Sequence, residues 1–142
     1  MNGIGDIAAK LADIPLFEGL APDLLADLAR ASHVARLPKG ALLYSAGEQA
    51  RVLFHVLSGQ LKVAVSSSDG GEKVIDVVAP GHNIGMAELF GGVPYVSFAE
   101  TVAPSLVLHI SREAILRVVD RDPRISRRLL RAIGERQSAL ER

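Results

Sequence analysis

The stretch Val52-Leu53-Phe54-His55-Val56-Leu57-Ser58-Gly59-Gln60-Leu61-Lys62-Val63-Ala64-Val65 decides the fold. Two apolar runs rich in strand-favouring residues flank Ser58-Gly59-Gln60, and Leu61, Val63 and Val65 alternate on the return as a half-buried strand requires. Gly59 stands where a tight turn needs a positive φ, which glycine supplies without steric cost. The pattern predicts a hairpin. The same period of two extends in both directions, over residues 32–111, cut by Pro38-Lys39-Gly40, Gly47, Asp69-Gly70-Gly71, Pro80-Gly81, Gly91-Gly92 with Pro94, and Ala103-Pro104. Strands are expected at 33–37, 41–44, 52–58, 61–65, 73–78, 97–102 and 105–110, with one helical turn at 85–90. Roughly eight short strands with turns every 8 to 12 residues indicate a sandwich or barrel rather than an α/β sheet.

The period is helical at both ends. Ile4, Ile7, Ala8 and Leu11 recur at spacings of three and four, Pro15 interrupts, and Pro22 opens a second helix with Leu24, Leu25, Leu28 and Ala29 on its apolar face. Beyond the strands, Ser111 is placed to cap a helix through Leu116 and Val119, and Asp122-Pro123 starts a last helix that runs to the end of the chain. Three segments are expected: N-terminal helices at 1–31, a strand-rich body at 32–111, and a short and a long helix at 112–142.

Composition removes several function classes. The 142 residues are 49% hydrophobic and 23% charged, the profile of a folded chain. There is no Cys, which excludes a disulfide scaffold, a thiolate zinc site, a Cys-ligated iron–sulfur cluster and a Cys nucleophile. No apolar run approaches the roughly 18–20 residues that span a bilayer, and MNGIGDIAAK lacks the features of a secretory signal, so a cytoplasmic protein without membrane association is expected. The net charge is zero but uneven: residues 1–111 balance at −4 and residues 112–142 at +4. No His-x-His of a cupin, Gly-x-Ser-x-Gly, P-loop or dinucleotide glycine motif occurs, so an enzyme is not expected.

Lys39-Gly40, Leu43-Tyr44, Gly47-Glu48, the hairpin 54–63, Pro80-Gly81, Ile84-Gly85, Pro94, Ala99 and Ser111-Arg112 follow one another in a family order. In these motifs the chain resembles the N-terminal effector domain of CRP/FNR-type bacterial transcription regulators, the cyclic-nucleotide-binding fold, over residues 14–142. The resemblance implies a mainly β fold with flanking helices: a double-stranded β-helix, or β-roll, followed by a long C-terminal dimerisation helix. It also implies a helix-turn-helix that is absent from this chain, so that DNA is met only through that further domain.

In cyclic-nucleotide binders of the family, a Glu contacts the ribose and an Arg after a Pro meets the phosphate. Aligned without gaps, the Glu falls on Met86 and the Arg on Tyr95, and residues 84–102 contain no Lys or Arg. A buried phosphate needs a fork-like cation, so cyclic nucleotide is not the expected ligand. The segment 86–90 with Pro94, Tyr95 and Val96 is more similar to FNR-type sensors of the dissimilatory nitrate respiration group, which respond to nitric oxide and are associated with haem. The resemblance then implies a small-molecule or gas effector in a largely apolar pocket of Met86, Glu88, Leu89, Phe90, Tyr95 and Phe98. Haem is the candidate cofactor and His82, just before that segment, the candidate axial ligand; His33, His55 and His109 are the other histidines, none in a metal-spaced pair.

The last helix carries Leu129, Ile133 and Leu140 on a weak heptad with Ser126 and Arg136, the expected homodimer stripe. The expected function is a ligand-sensing regulatory domain in which effector binding in the roll shifts this helix. The alternatives are a cyclic-nucleotide-binding regulatory module, as in kinases and channels, and a dimerisation domain without ligand.

Overall fold

The computed structural model describes residues 3–141, with side chains through residue 135. Its elements are α1 (Ile4–Ala12), a 3-10 turn (Pro15–Phe17), α2 (Pro22–Arg30), β1 (Ser32–Leu37), β2 (Leu42–Tyr44), β3 (Val52–Ser58), β4 (Leu61–Ser66), β5 (Glu72–Val78), β6 (Asn83–Ile84), α3 (Met86–Gly91), β7 (Phe98–Thr101), β8 (Ser105–Ser111), α4 (Arg112–Arg121) and α5 (Arg124–Glu141). None of the described helices is long and apolar enough to cross a membrane.

The chain forms two compact units, Val34–His109 and Met1–His33 with Ile110–Arg142. The helices at the two ends of the sequence, read above as separate segments, thus share one unit.

The strand unit holds two four-stranded sheets, ordered β1-β8-β3-β6 and β2-β7-β4-β5. The hairpin predicted from 52–65 is β3 and β4, which part at the turn into different sheets. Each finds its pairing elsewhere: β4 runs antiparallel to β5 from Leu61↔Val78 to Ser66↔Glu72, with an irregularity at Val63/Ala64, and to β7 from Leu61↔Thr101 to Ala64↔Phe98. This arrangement is that of the expected β-roll. The turn is tight because Gly59 (φ +90°) lies against the chain at 104–105: a Cβ there would stand 2.1 Å from Ser105 Oγ and 2.6 Å from the Pro104 carbonyl oxygen. In the next turn the positive φ falls on Gly70, and Gly71 instead donates its N–H to Asp69 Oδ1 at 3.1 Å. Strand β6 was not expected. Two residues carry too little pattern to read, and Asn83 and Ile84 are strand only because they pair with His55 and Phe54.

Leu53, Phe54, Val56, Leu61, Val63, Ala99, Val107 and Leu108 are buried in the strand unit. Each fully buried large side chain contributes about 1.5–3 kcal/mol relative to exposure. On the outside, Lys62 lies between Glu72, which it meets in a short ion pair, and Glu100 at 3.3 Å, spanning three strands.

In the helical unit, Ile7, Leu11, Phe17, Leu28, Ala114, Ile115, Val118, Ile125 and Leu129 are buried. Arg128 Nη1 donates to the carbonyls of Leu16 (3.1 Å) and Glu18 (2.7 Å), and Arg124 Nη2 donates to Gly19 O (3.1 Å) and Asp122 Oδ2 (2.7 Å). These arginines tie α5 to the N-terminal segment. Asp122 Oδ1 also accepts the Arg124 N–H, the start signal read from the sequence, whereas the Ser111 side chain bonds to Glu113 instead of capping α4.

Candidate effector site

Tyr95 is held by its backbone and its ring alike. Its N–H donates to the Glu48 carbonyl at 3.0 Å and its carbonyl accepts the Gly47 N–H at 2.7 Å, so the residue is clipped to the loop between β2 and β3. Its ring stacks on Tyr44, with centroids 3.6 Å apart and planes at 13°. Tyr44 in turn faces Phe54 at 6.0 Å, and Phe54 meets His109 edge-on at 4.9 Å. Four rings drawn from β2, β3, β8 and the segment before β7 thus form one continuous series.

The Tyr95 hydroxyl ends this series against Gly85. That glycine has φ +84°, and a Cβ on it would come within 2.8 Å of the hydroxyl oxygen. Gly85 is needed twice over, for its backbone and for its missing side chain. Tyr95 is 3% exposed, and its hydroxyl has no hydrogen-bond partner among the described residues. Burial, then the neighbouring Tyr44 and the carboxylates of Glu88 and Glu48, hold its ionisation well above the ordinary phenol range. The group is a neutral donor without an acceptor among the described residues, and an unpaired buried donor carries a penalty of about 1–3 kcal/mol.

Beside the stack lies a cleft of about 320 Å³, walled by Tyr44, Phe54, Tyr95, Leu43 and Val52, with Glu48, Gln49 and Arg51 at its rim. Three of the chain's six aromatic residues meet here.

Of the six residues expected to line the effector pocket, Tyr95 alone lines a described cleft. Leu89 is buried in its own right, Met86, Glu88, Phe90 and Phe98 are half-buried, and Tyr44, Phe54 and Val52, which the sequence reading missed, line the cleft with Tyr95, while Gly85 lies against the Tyr95 hydroxyl. The signal that could have pointed to Tyr44 was its place in the Leu43-Tyr44 motif, in a chain with only six aromatic residues. His82 is exposed, its carbonyl accepts the Val56 N–H, and its ring lines neither cleft. Neither cleft is lined by any histidine, and the described residues form no cluster of three metal-ligating side chains. The buried histidine is His55, 7% exposed, with Nδ1 2.7 Å from Asn83 Oδ1. Desolvation lowers its basicity, against the Asn83 contact, so it is held neutral and donates to Asn83.

On α5, Leu129 is already buried in the single chain, and the apolar residue facing outward is Leu130, 72% exposed. Ile133 is half-buried and the Leu140 side chain lies outside the described residues. The outward stripe therefore runs through Ser126, Leu130 and Ile133, at spacings of four and three, and passes by Leu129.

The family model of the cyclic nucleotide-binding domain matches residues 34–122. The chain belongs to the cyclic nucleotide-binding domain family. It is 27% identical over 126 residues to the CRP-like cAMP-activated global transcriptional regulator of Mycobacterium tuberculosis, a match covering 89% of this chain and 56% of that protein. A probable transcriptional regulator flp of Lacticaseibacillus casei is 28% identical over 131 residues, 92% of this chain and 59% of the relative. The chain thus spans a little over half the length of these curated relatives. Among solved structures, the sensor domain of the transcriptional regulator DNR from Pseudomonas aeruginosa superposes with a TM-score of 0.84 at 28% identity, covering 96% of this chain and 91% of that one. The cyclic nucleotide-binding domain described here is homologous to the N-terminal effector domain of CRP/FNR-type regulators, and these relatives are regulators rather than enzymes.

Proposed function

We propose that this domain is the effector-sensing part of a cytoplasmic, dimeric CRP/FNR-type transcription regulator, and that its effector is an uncharged, largely apolar molecule rather than a cyclic nucleotide. One observation carries the reading: the buried Tyr95 hydroxyl, at the position that an ungapped alignment gives to the family's phosphate-binding Arg, has no acceptor among the described residues. A cyclic phosphate would meet no cation between residues 84 and 102, and the Arg51 at the cleft shares its rim with Glu48. A neutral ligand with a carbonyl or ether oxygen would accept the Tyr95 hydroxyl and lie along the Tyr44–Phe54 wall. Such a ligand regulates by binding two arrangements of the domain with different affinity, the second arrangement being felt at the dimer helix α5.

The test uses calorimetry and amide NMR. Cyclic AMP and cyclic GMP are expected to give no binding, since losing one charge-assisted bidentate contact alone removes roughly tenfold or more in affinity. Acetophenone, an uncharged aromatic carbonyl compound, is expected to shift the amides of Tyr44, Gly85 and Tyr95, and less so in Tyr95→Phe. A micromolar Kd for a cyclic nucleotide overturns the proposed ligand class. Absence of any shift with acetophenone favours the ligand-free dimerisation domain instead.

A further inference from the structure

Three turns meet at one end of the strand unit and are locked together there. Thr101, 2% exposed, donates its hydroxyl to the Pro38 carbonyl at 2.6 Å and accepts the Ala41 N–H at 2.8 Å, while the Gly40 N–H donates to the Thr101 carbonyl at 2.9 Å. The turn 38–40 is thereby fixed to the end of β7. Ser105, 3% exposed, accepts the Gln60 N–H at 3.2 Å and donates to the Ala103 carbonyl at 2.8 Å, and the Val102 N–H donates to the Gln60 carbonyl at 2.9 Å. The turn 58–60 is fixed to the chain at 102–105, which is where Gly59 makes its close approach.

Between these turns is a cleft of about 500 Å³. Arg36 and Lys39 stand at it, together with the hydroxyl of Ser58, over a floor of Leu37, Pro104 and Leu106. No acidic side chain lines it. Neither cation enters an ion pair among the described residues, whereas Lys62 in the same unit is held by two carboxylates. In the effector cleft the contrast is plain, because Arg51 shares that rim with Glu48. Two cations of different kind line one concave surface whose turns are pinned by buried hydroxyls, and no acidic side chain lines it with them.

We propose that this end of the roll binds a phosphate group, with Arg36 and Lys39 as its cations and Ser58 as a neutral donor. The guanidinium offers a two-pronged donor set and the ammonium a compact charge, which together match the charge of a phosphomonoester. The open cleft of about 500 Å³ accommodates a phosphate carried by a larger molecule, either a free phosphorylated metabolite or one phosphate of a nucleic-acid backbone.

Amide NMR at constant ionic strength tests this, with inorganic phosphate as one probe and a short blunt DNA duplex as the other. Phosphate is expected to shift the amides of residues 36–39, 58 and 105–106 with saturation in the millimolar range. Arg36→Gln and Lys39→Gln each weaken it roughly three- to tenfold, and the pair abolishes it. Lys73→Gln, an exposed charge on β5, removes the same net charge and leaves the binding unchanged. Tighter, saturable shifts of the same residues by the duplex assign the group to a nucleic-acid backbone, and shifts by phosphate alone assign it to a free metabolite. The proposal is overturned if neither probe shifts these amides, if sodium acetate shifts them equally, or if Lys73→Gln weakens binding as much as the cleft substitutions.

Discussion

Replacing Tyr95 by Phe deletes one hydroxyl and leaves the ring on Tyr44. In an ordinary protein a Tyr→Phe change in the core loses a hydrogen bond and stability. Here the hydroxyl has no partner among the described residues, so the change removes a desolvation penalty of about 1–3 kcal/mol and no bond. The space vacated is one oxygen atom beside Gly85, too small to cancel the gain. A net stabilisation of about 1–2 kcal/mol is expected, which for a domain of this size raises Tm by roughly 3–8 °C. Urea unfolding should show a higher midpoint with an unchanged slope, the mark of a stability change without a change in exposed area. A second signature appears in alkali. The folded group ionises above its ordinary value of 10.0, so the unfolded chain loses this proton first. Stability is therefore intact below that pH and falls as pH rises above it, by about 1.4 kcal/mol per pH unit for this one group. The difference between wild type and Tyr95→Phe should widen along that slope. A variant equal to or less stable than wild type at neutral pH refutes the reasoning, because it means the hydroxyl is paired in the folded protein.

Gly85→Ala should destabilise the domain by about 1–2 kcal/mol from backbone strain at positive φ, with more from the contact with the Tyr95 hydroxyl; Tyr95→Phe should recover the second part alone, read by denaturation of the double variant. Leu130→Glu should give a monomer in light scattering with little loss of stability, whereas Leu129→Glu should unfold the helical unit, since that side chain is buried in the single chain; a dimer that survives Leu130→Glu and Ile133→Glu places the interface elsewhere. His55, with lowered basicity, leaves stability intact above its ordinary value of 6.5 and draws it down as pH falls below that, because the unfolded chain takes the proton first; His55→Gln should flatten this acid limb of a stability–pH curve. Haemin should give no Soret shift that depends on His82, since that ring lines neither cleft; a shifted band abolished by His82→Ala contradicts the geometry.

The roll was legible because its signals are local. The turn at Gly59 and the alternation Leu61, Val63, Val65 fix a strand pair within a dozen residues, and Pro22 and Asp122 mark helix starts by chemistry that acts over a single turn. What escaped depends on distance along the chain. Tyr95 could be read as a replacement for a cation, but its stacking partner lies on β2, some fifty residues earlier, and no periodicity connects them. The α5 stripe was ambiguous for a different reason. Leu129 and Leu130 are adjacent, so a seven-residue repeat containing Ile133 accepts either, and only burial of Ile125 and Leu129 decides which one faces outward. His82 was favoured by its place before the short helix, yet the backbone that seats it, paired to Val56, leaves its ring on the surface and buries His55.

The chain has no Trp and two Tyr, and both tyrosines sit in the 3.6 Å stack. Nearly all of its near-ultraviolet absorption therefore comes from two chromophores close enough to couple. Their circular dichroism in that band reports the geometry of one contact, without any label, and a hydrogen bond newly made by the Tyr95 hydroxyl would change it. The domain carries its own optical probe at the position where its ligand is proposed to bind.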